Sequence, residues 1–199
     1  MLPKEKESLL LKSIAPSYRI TDGESLALWQ EKARRKLSEL LGLDRFETCE
    51  NTVSVDFDEK RDGFREIRFK VQTEKDLFVP CHLLIPEKTE GNAPLMICLQ
   101  GHSTGMHISL GNPIYEGDEE TISGGDRDFV VRALKEGFAA IAIEQRNFGE
   151  CGGSEKGPRC LESSLLALIC GRTTIGERVW DVSRCFDTLL SDFSEFVKP

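Results

Sequence analysis

Residues 137–153 read GFAAIAIEQRNFGECGG. Residues 138–143 are apolar at every position, so they read as a strand buried on both faces, as strands of a parallel sheet are. Residues 95–99 (LMICL) repeat that character and are likewise expected to be buried on both faces. Between them Phe129, Val130, Ala133 and Leu134 recur at helical spacing, and Gly137 ends the helix. A strand, a helix and a strand in succession make the chain an α/β protein. Upstream, from Thr52 to Pro86, the chain is strand-like. Residues 66–71 alternate polar and apolar, and residues 78–85 follow after a short connection at 74–76, which predicts an antiparallel hairpin. The expected sheet is mainly parallel with an antiparallel leading hairpin.

Helices flank this region on both sides. Thr21 and Glu24 are spaced as a capping box, and Leu26, Trp29, Ala33, Leu37, Leu40 and Leu41 then form an amphipathic stripe stopped by Gly42. Thr174 and Glu177 suggest a second box, followed by a stripe of Ile175, Val179, Val182, Phe186 and Leu189. The chain ends at Lys198-Pro199 with nothing expected after that helix. The organisation read from these patterns is an N-terminal helical segment, 1–50, and an α/β portion, 51–199.

Composition narrows the function classes. With 199 residues the chain is long enough for one domain with a real core, and 39% hydrophobic against 30% charged residues is globular rather than disordered. A net charge of −8 opposes nucleic-acid binding, and the basic cluster at 32–36 lies in a helical pattern as a solvated face. No apolar run is long enough to span a bilayer, and the N-terminus lacks the apolar core of a signal peptide. Seven cysteines, an odd number with no CxxC pair, suit free thiols in a reducing cytoplasm. Cys151, Cys160 and Cys170 are too loosely spaced for a zinc site, and no cofactor is expected.

Two glycine-bearing loops leave the ends of the buried strands, where open α/β sheets place their ligands: QGHSTG (100–105) and EQRNFGECGG (144–153). Within the second, Gly149-x-Cys151-x-Gly153 has the outline of a nucleophile elbow with cysteine in place of serine. An elbow needs a strand running straight into the turn and a helix starting at once. Cys151 lies about eight residues past its strand, and GGSEKGP follows it, so it reads as a loop cysteine and a poor nucleophile candidate.

Together the loops resemble the α/β-hydrolase superfamily. LQGHSTG looks like the His-Gly loop after the third strand, with Gln100 in place of the usual His. GFAAIAIEQRNFGECGG looks like the fourth strand and its D-x-R-G-x-G-x-S loop, with Glu144 at the Asp position and Cys151 at the Ser. CGRTTIGERVWDVSRCFDTL is similar to the helix before the nucleophile strand in the acetyl-xylan-esterase-like branch; a dienelactone-hydrolase-like cysteine enzyme is the other branch considered. The resemblance covers residues 64 to 193 and implies an incomplete fold: no Gly-x-Ser-x-Gly occurs, and Ser, acid and His are expected beyond Pro199. His82, His102 and His107 all precede the fourth strand, whereas the family's catalytic His comes last. The one function carried to a residue present is an oxyanion donor, the backbone N–H of His102, with Gly101 letting the turn approach substrate. Ser103 and Ser154 read as loop polar residues, and Arg146 and Arg172 as packing or surface groups; orienting an anionic group and pairing with Glu177 are the alternatives for Arg172.

The implied activity is hydrolysis of a carboxylic ester, a small-molecule ester or acetylated sugar, with this chain inactive alone. The alternative is a non-catalytic binding or assembly half-domain. The resemblance implies strand order 1-2-4-3, which leaves residues 95–99 as an open edge inviting self-association.

Overall fold

The computed structural model describes residues 1–89, 93–152 and 158–198. The chain divides into two compact units, 1–40 and 41–199. The first contains helix α1 (Pro3–Ser13) and most of α2 (Leu26–Leu41). Thr21 and Glu24 do meet, the Glu24 carboxylate accepting from the Thr21 N–H and hydroxyl at 3.4 Å. They do so in a turn that precedes the helix rather than at its cap. Gly42 ends α2 with a left-handed φ of 70°.

Among the described residues, the second unit is built on a six-stranded mixed sheet. Strands β1 (Val53–Arg61), β2 (Phe64–Glu74) and β3 (Leu77–Pro86) form an antiparallel meander. Next come β4 (Ala93–Cys98), the short helix α3 (Asp118–Ser123), α4 (Phe129–Lys135) and β5 (Ala139–Ile143). Helices α5 (Cys160–Ile169) and α6 (Thr174–Asp192) lead to β6 (Val197–Lys198). The order across the sheet is β1-β2-β3-β5-β4-β6, with β5 antiparallel to β3 and parallel to β4. The expected order of the four core strands is therefore found, in an α/β fold. The sheet is mixed rather than mainly parallel, because tight turns at Gly63 (φ 83°) and Asp76 (φ 63°) fold three strands back on one another.

Strand β5 is buried at all five positions. Ala139, Ile141 and Ile143 pack under α6 with Phe69, Leu83 and Leu189, while Ala140 and Ala142 pack with Val130 and Met106 on the α4 side. That is the period of two expected of a strand with both faces covered. In the α6 core the free thiols of Cys81 and Cys185 touch, Sγ to Sγ at 3.7 Å.

Strand β4 departs from its expectation. Leu95 and Ile97 are half-buried against the α6 core, but Met96 and Leu99 are each 40% exposed. An apolar cleft of about 430 Å³ opens beside them, lined in part by Phe129, Ala133 and Phe138. The edge is not wholly bare either: Val197 and Lys198 continue past α6 as a parallel strand opposite Ala93 and Pro94.

The N-cap of α6 is shifted by one position, and its expected stripe holds only in part. Thr173, not Thr174, is the N-cap, its Oγ1 accepting from the Gly176 N–H at 2.9 Å. Of that stripe Leu189 is buried and Val182 and Phe186 are half-buried, but Ile175 and Val179 are exposed, and Asp181 and Cys185 face inward instead. Burying Leu189 contributes about 2 kcal/mol, and Asp181 is carried inward by an ion pair with Arg146. Helix α5, unmarked in the sequence reading, buries only Ala167 and leaves Leu161, Leu165, Leu166, Leu168 and Ile169 exposed. Among the described residues no helix is long and apolar enough to cross a membrane.

Candidate functional site

Two loops leave the C-terminal ends of β4 and β5 side by side, and Glu144 ties them together. It follows the wholly apolar β5, so its carboxylate is carried into the interior, 1% exposed. Oε1 accepts from Gln100 Nε2 at 2.9 Å, and the Met106 N–H lies 3.1 and 3.3 Å from the two oxygens. The Glu150 N–H reaches Oε2 at 3.4 Å. The loops are further joined by Gln145 Nε2 donating to the Gln100 carbonyl and the Gly149 N–H to the Thr104 carbonyl, at 2.8 and 2.9 Å. Burial pushes the Glu144 carboxyl up from its ordinary 4.5 to about 7, although Met106, Glu150 and Gln100 donate to its charged form.

Glycines make this approach possible. A Cβ on Gly149 would lie 2.2 Å from Glu144 Oε2, and one on Gly105 would lie 2.9 Å from the Gly149 Cα. Gly101 is different: a Cβ there would meet nothing within 4 Å. The fold itself thus demands glycine at 105 and 149, not at 101.

A second polar knot adjoins the first. Thr104 Oγ1 donates to Asp118 Oδ1 at 2.7 Å, and His107 Nε2 lies 2.9 Å from Asp118 Oδ2. The Ile114 and Tyr115 N–H groups also donate to Oδ2. Burial would raise the Asp118 carboxyl, but the hydrogen bonds from Tyr115, Thr104, Ile114 and His107 together hold it below its ordinary value. Across the cleft His82 is set between Glu66, at 2.7 Å from Nδ1, and Arg68, at 3.0 Å from Nε2. Arg68 can only donate, so Nε2 accepts and Nδ1–H donates. Burial, the largest influence, lowers the His82 pKa. Arg68, His82, Met106, His107, Tyr115 and Glu144 line a cleft of about 280 Å³.

His102 lies on the exposed side of the first loop, its ring edge-on to Phe148 at 5.8 Å. Its backbone N–H has no acceptor among the described residues. The Ser103 hydroxyl is buried without a partner among them. Gly153 and Ser154 lie outside the described residues. Cys151 sits in a 3₁₀ turn, Gly149–Cys151, with its N–H donated to the Phe148 carbonyl at 2.8 Å. Burial first, then the charges of Glu144, Asp181 and Glu150, push its thiol up to about 12. Such a group is a thiol at neutral pH, and the contacts of His82, His102 and His107 among the described residues do not include it.

Arg146 and Arg172 are half-buried packing groups. Arg146 forks onto Asp181 at 2.6 and 2.8 Å and reaches Glu74 at 2.6 Å and Glu177 at 3.5 Å. Arg172 pairs with Glu74 at 2.8 Å, not with Glu177, and stacks on the Phe46 ring at 4.1 Å. Glu74 lies at the end of β2 and so out of reach of any local sequence pattern, which is why Glu177 looked the nearer partner. The sequence also gave no warning of the Glu144–Gln100 and Asp118–His107 contacts; the available signal was a charged residue placed directly after a wholly apolar strand. Among the described residues, no three His, Cys, Asp or Glu side chains are placed to hold a metal ion.

The model of the Abhydrolase family matches residues 8–163. No curated protein matches the chain. Among solved structures, a protein from Bacteroides fragilis provisionally assigned as an acetyl xylan esterase superposes with a TM-score of 0.81 at 16% identity, over 100% of this chain and 52% of that one. A glucuronoyl esterase from Solibacter usitatus superposes with a TM-score of 0.54 at 16% identity, over 93% and 55%. A methylesterase gives 0.56 at 19%, over 94% and 36%. At these identities the likeness establishes the fold, and the chain spans about half the length of the first of these proteins.

Proposed function

The chain belongs to the Abhydrolase family, and on that premise we propose that it is the N-terminal part of a serine-type carboxylic ester hydrolase. The observation that carries this reading is the turn after β4, where the His102 N–H has no acceptor among the described residues. Strand β6 begins parallel to β4 at Ala93. The same register carried onward would bring a nucleophile strand out level with that turn. In the intact enzyme the serine attacks the ester carbonyl, and the tetrahedral oxyanion receives the His102 N–H, with the open space at Gly101 admitting the substrate. One such donor is worth about 3 kcal/mol of barrier. The substrate class is a small-molecule ester, an acetylated sugar in keeping with the esterases sharing the fold, and the seven free thiols suit a reducing cytoplasm. No residue here supplies the triad, so the chain alone is expected to be inactive.

The test is to read the coding DNA past codon 199 and to assay the chain with p-nitrophenyl acetate. In-frame continuation into an apolar strand and Gly-x-Ser-x-Gly, with no turnover by the 199-residue chain, supports the proposal. A stop codon there, or turnover abolished by Cys151→Ala, overturns it.

A second reading rests on the flank of β4, where exposed Met96 and Leu99 border an apolar cleft. It takes the chain as an assembly module that pairs with a second copy through this edge. Size-exclusion chromatography is expected to give a dimer or larger species; a monomer that unfolds cooperatively would sink this reading.

A further inference from the structure

Gln100 is buried against Glu144, yet only half of its amide is satisfied. Nε2 donates to Glu144 Oε1 at 2.9 Å, while Gln100 Oε1 is buried with no partner among the described residues. A buried amide oxygen left unpaired is costly. Turned over, the same amide would present its oxygen to Glu144 Oε1, an arrangement that requires a proton on the carboxyl. The pair therefore has two states, each with one end of the amide bonded to Glu144: a carboxylate accepting from Gln100, and a carboxylic acid donating to it. Gln100 is followed directly by Gly101 and His102, and its carbonyl is held by Gln145.

We infer that Glu144 is a positioning residue for the turn carrying the His102 N–H, acting through a proton-operated latch with Gln100. The inference rests on the ester-hydrolase reading for its purpose but not for its existence. Above the titration midpoint, the carboxylate holds the Gln100 amide and the Met106 N–H. Below it, the protonated Glu144 carboxyl keeps its proton and donates it in a hydrogen bond to Gln100 Oε1, and its grip on Met106 weakens. His107 faces the carboxylate from the first loop, with Nδ1 and Glu144 Oε2 at 2.9 and 3.1 Å from the Cβ position of Gly105. His82 and Arg68 face it from β3 and β2, and Glu150 and Cys151 from its own loop. Burial and the Glu150 charge set the midpoint at about 7. The folded carboxyl thus holds its proton more tightly than the unfolded one. The stability linked to this group is fully present below about 4.5 and is lost as pH rises through about 7.

The test is an NMR titration of the 199-residue chain, following the Met106 and Glu150 amides and the Gln100 side-chain NH₂ group. All three are expected to share a midpoint near 7. Gln100→Leu removes a donor to the charged form and should raise that midpoint by about half a unit or more. Glu144→Gln should abolish the transition while the His82 ring signals keep theirs. A midpoint in the ordinary carboxyl range, no response from Gln100, or the same midpoint in Gln100→Leu overturns the latch. The wild-type titration decides the matter even if both variants fail to fold. A stop at codon 199 would sink the hydrolase reading and leave this titration untouched.

Discussion

Replacing Arg146 with methionine is expected to lower the stability of the folded chain by about 3–5 kcal/mol, the range for breaking a buried ion pair from one side. The guanidinium joins the end of β2, the loop after β5 and helix α6 through Glu74, Asp181 and Glu177. Burial alone would lower its pKa, but Asp181 and Glu74 raise it above the ordinary value, so it stays charged. The loss is not spread evenly. Glu74 keeps Arg172 at 2.8 Å, whereas the Asp181 side chain is 1% exposed and would be left as an uncompensated buried carboxylate. The Arg146 carbonyl, which accepts from Arg178 at 2.9 and 3.1 Å, would also move with the loop. Urea unfolding at neutral pH measures the cost. The double variant Arg146→Met with Asp181→Leu should recover most of it, because replacing both partners of a buried pair by apolar groups is often neutral. A single-variant loss below about 1 kcal/mol would place the cluster among ion pairs of surface strength.

This cluster also marks where the sequence stops being legible. Strand β5 was readable because it is apolar throughout, and β2, α4 and much of α6 because apolar residues recur at the period of the element they build. Strand β1 lies within the strand-like stretch from Thr52, but its alternation (VSVDFD) stops at Glu59-Lys60-Arg61, and only Val53 and Phe57 in it are even half-buried. Helix α5 escaped because GGSEKGP precedes it with no capping signal, and its leucines are left exposed rather than buried. In α6 the pattern pointed to Ile175 and Val179, but Asp181, a charged residue, occupies the inner face, and only its partner 35 positions away explains that. Arg146 and Glu74 are 72 positions apart, and Gln100 and Glu144 are 44 apart. Contacts of that kind have no local period to betray them. The turn after β4 was legible as strand, glycine and loop in sequence, whereas the residues that hold the turn were not.

Gly149→Ala is the second large effect expected, a loss of about 3 kcal/mol or more. Two costs add. The residue has a φ of +39°, where an L side chain is strained. The new methyl would also lie 2.2 Å from Glu144 Oε2, 2.8 Å from its carboxyl carbon and 3.0 Å from the Gly105 Cα. Glu144 cannot swing clear without abandoning Gln100 and the Met106 N–H, and Gly105 is backbone, so the loop itself must shift. For a chain of this size the loss corresponds to a fall in Tm of about 6–12 °C. Gly101→Ala supplies the control, since a Cβ there meets nothing within 4 Å, and its Tm should stay within about 2 °C of wild type. If the two alanine variants melted together, the close packing of Gly149 on Glu144 would not be what joins the loops. If they separate as expected, glycine at 149 serves the fold and glycine at 101 is free to serve a substrate.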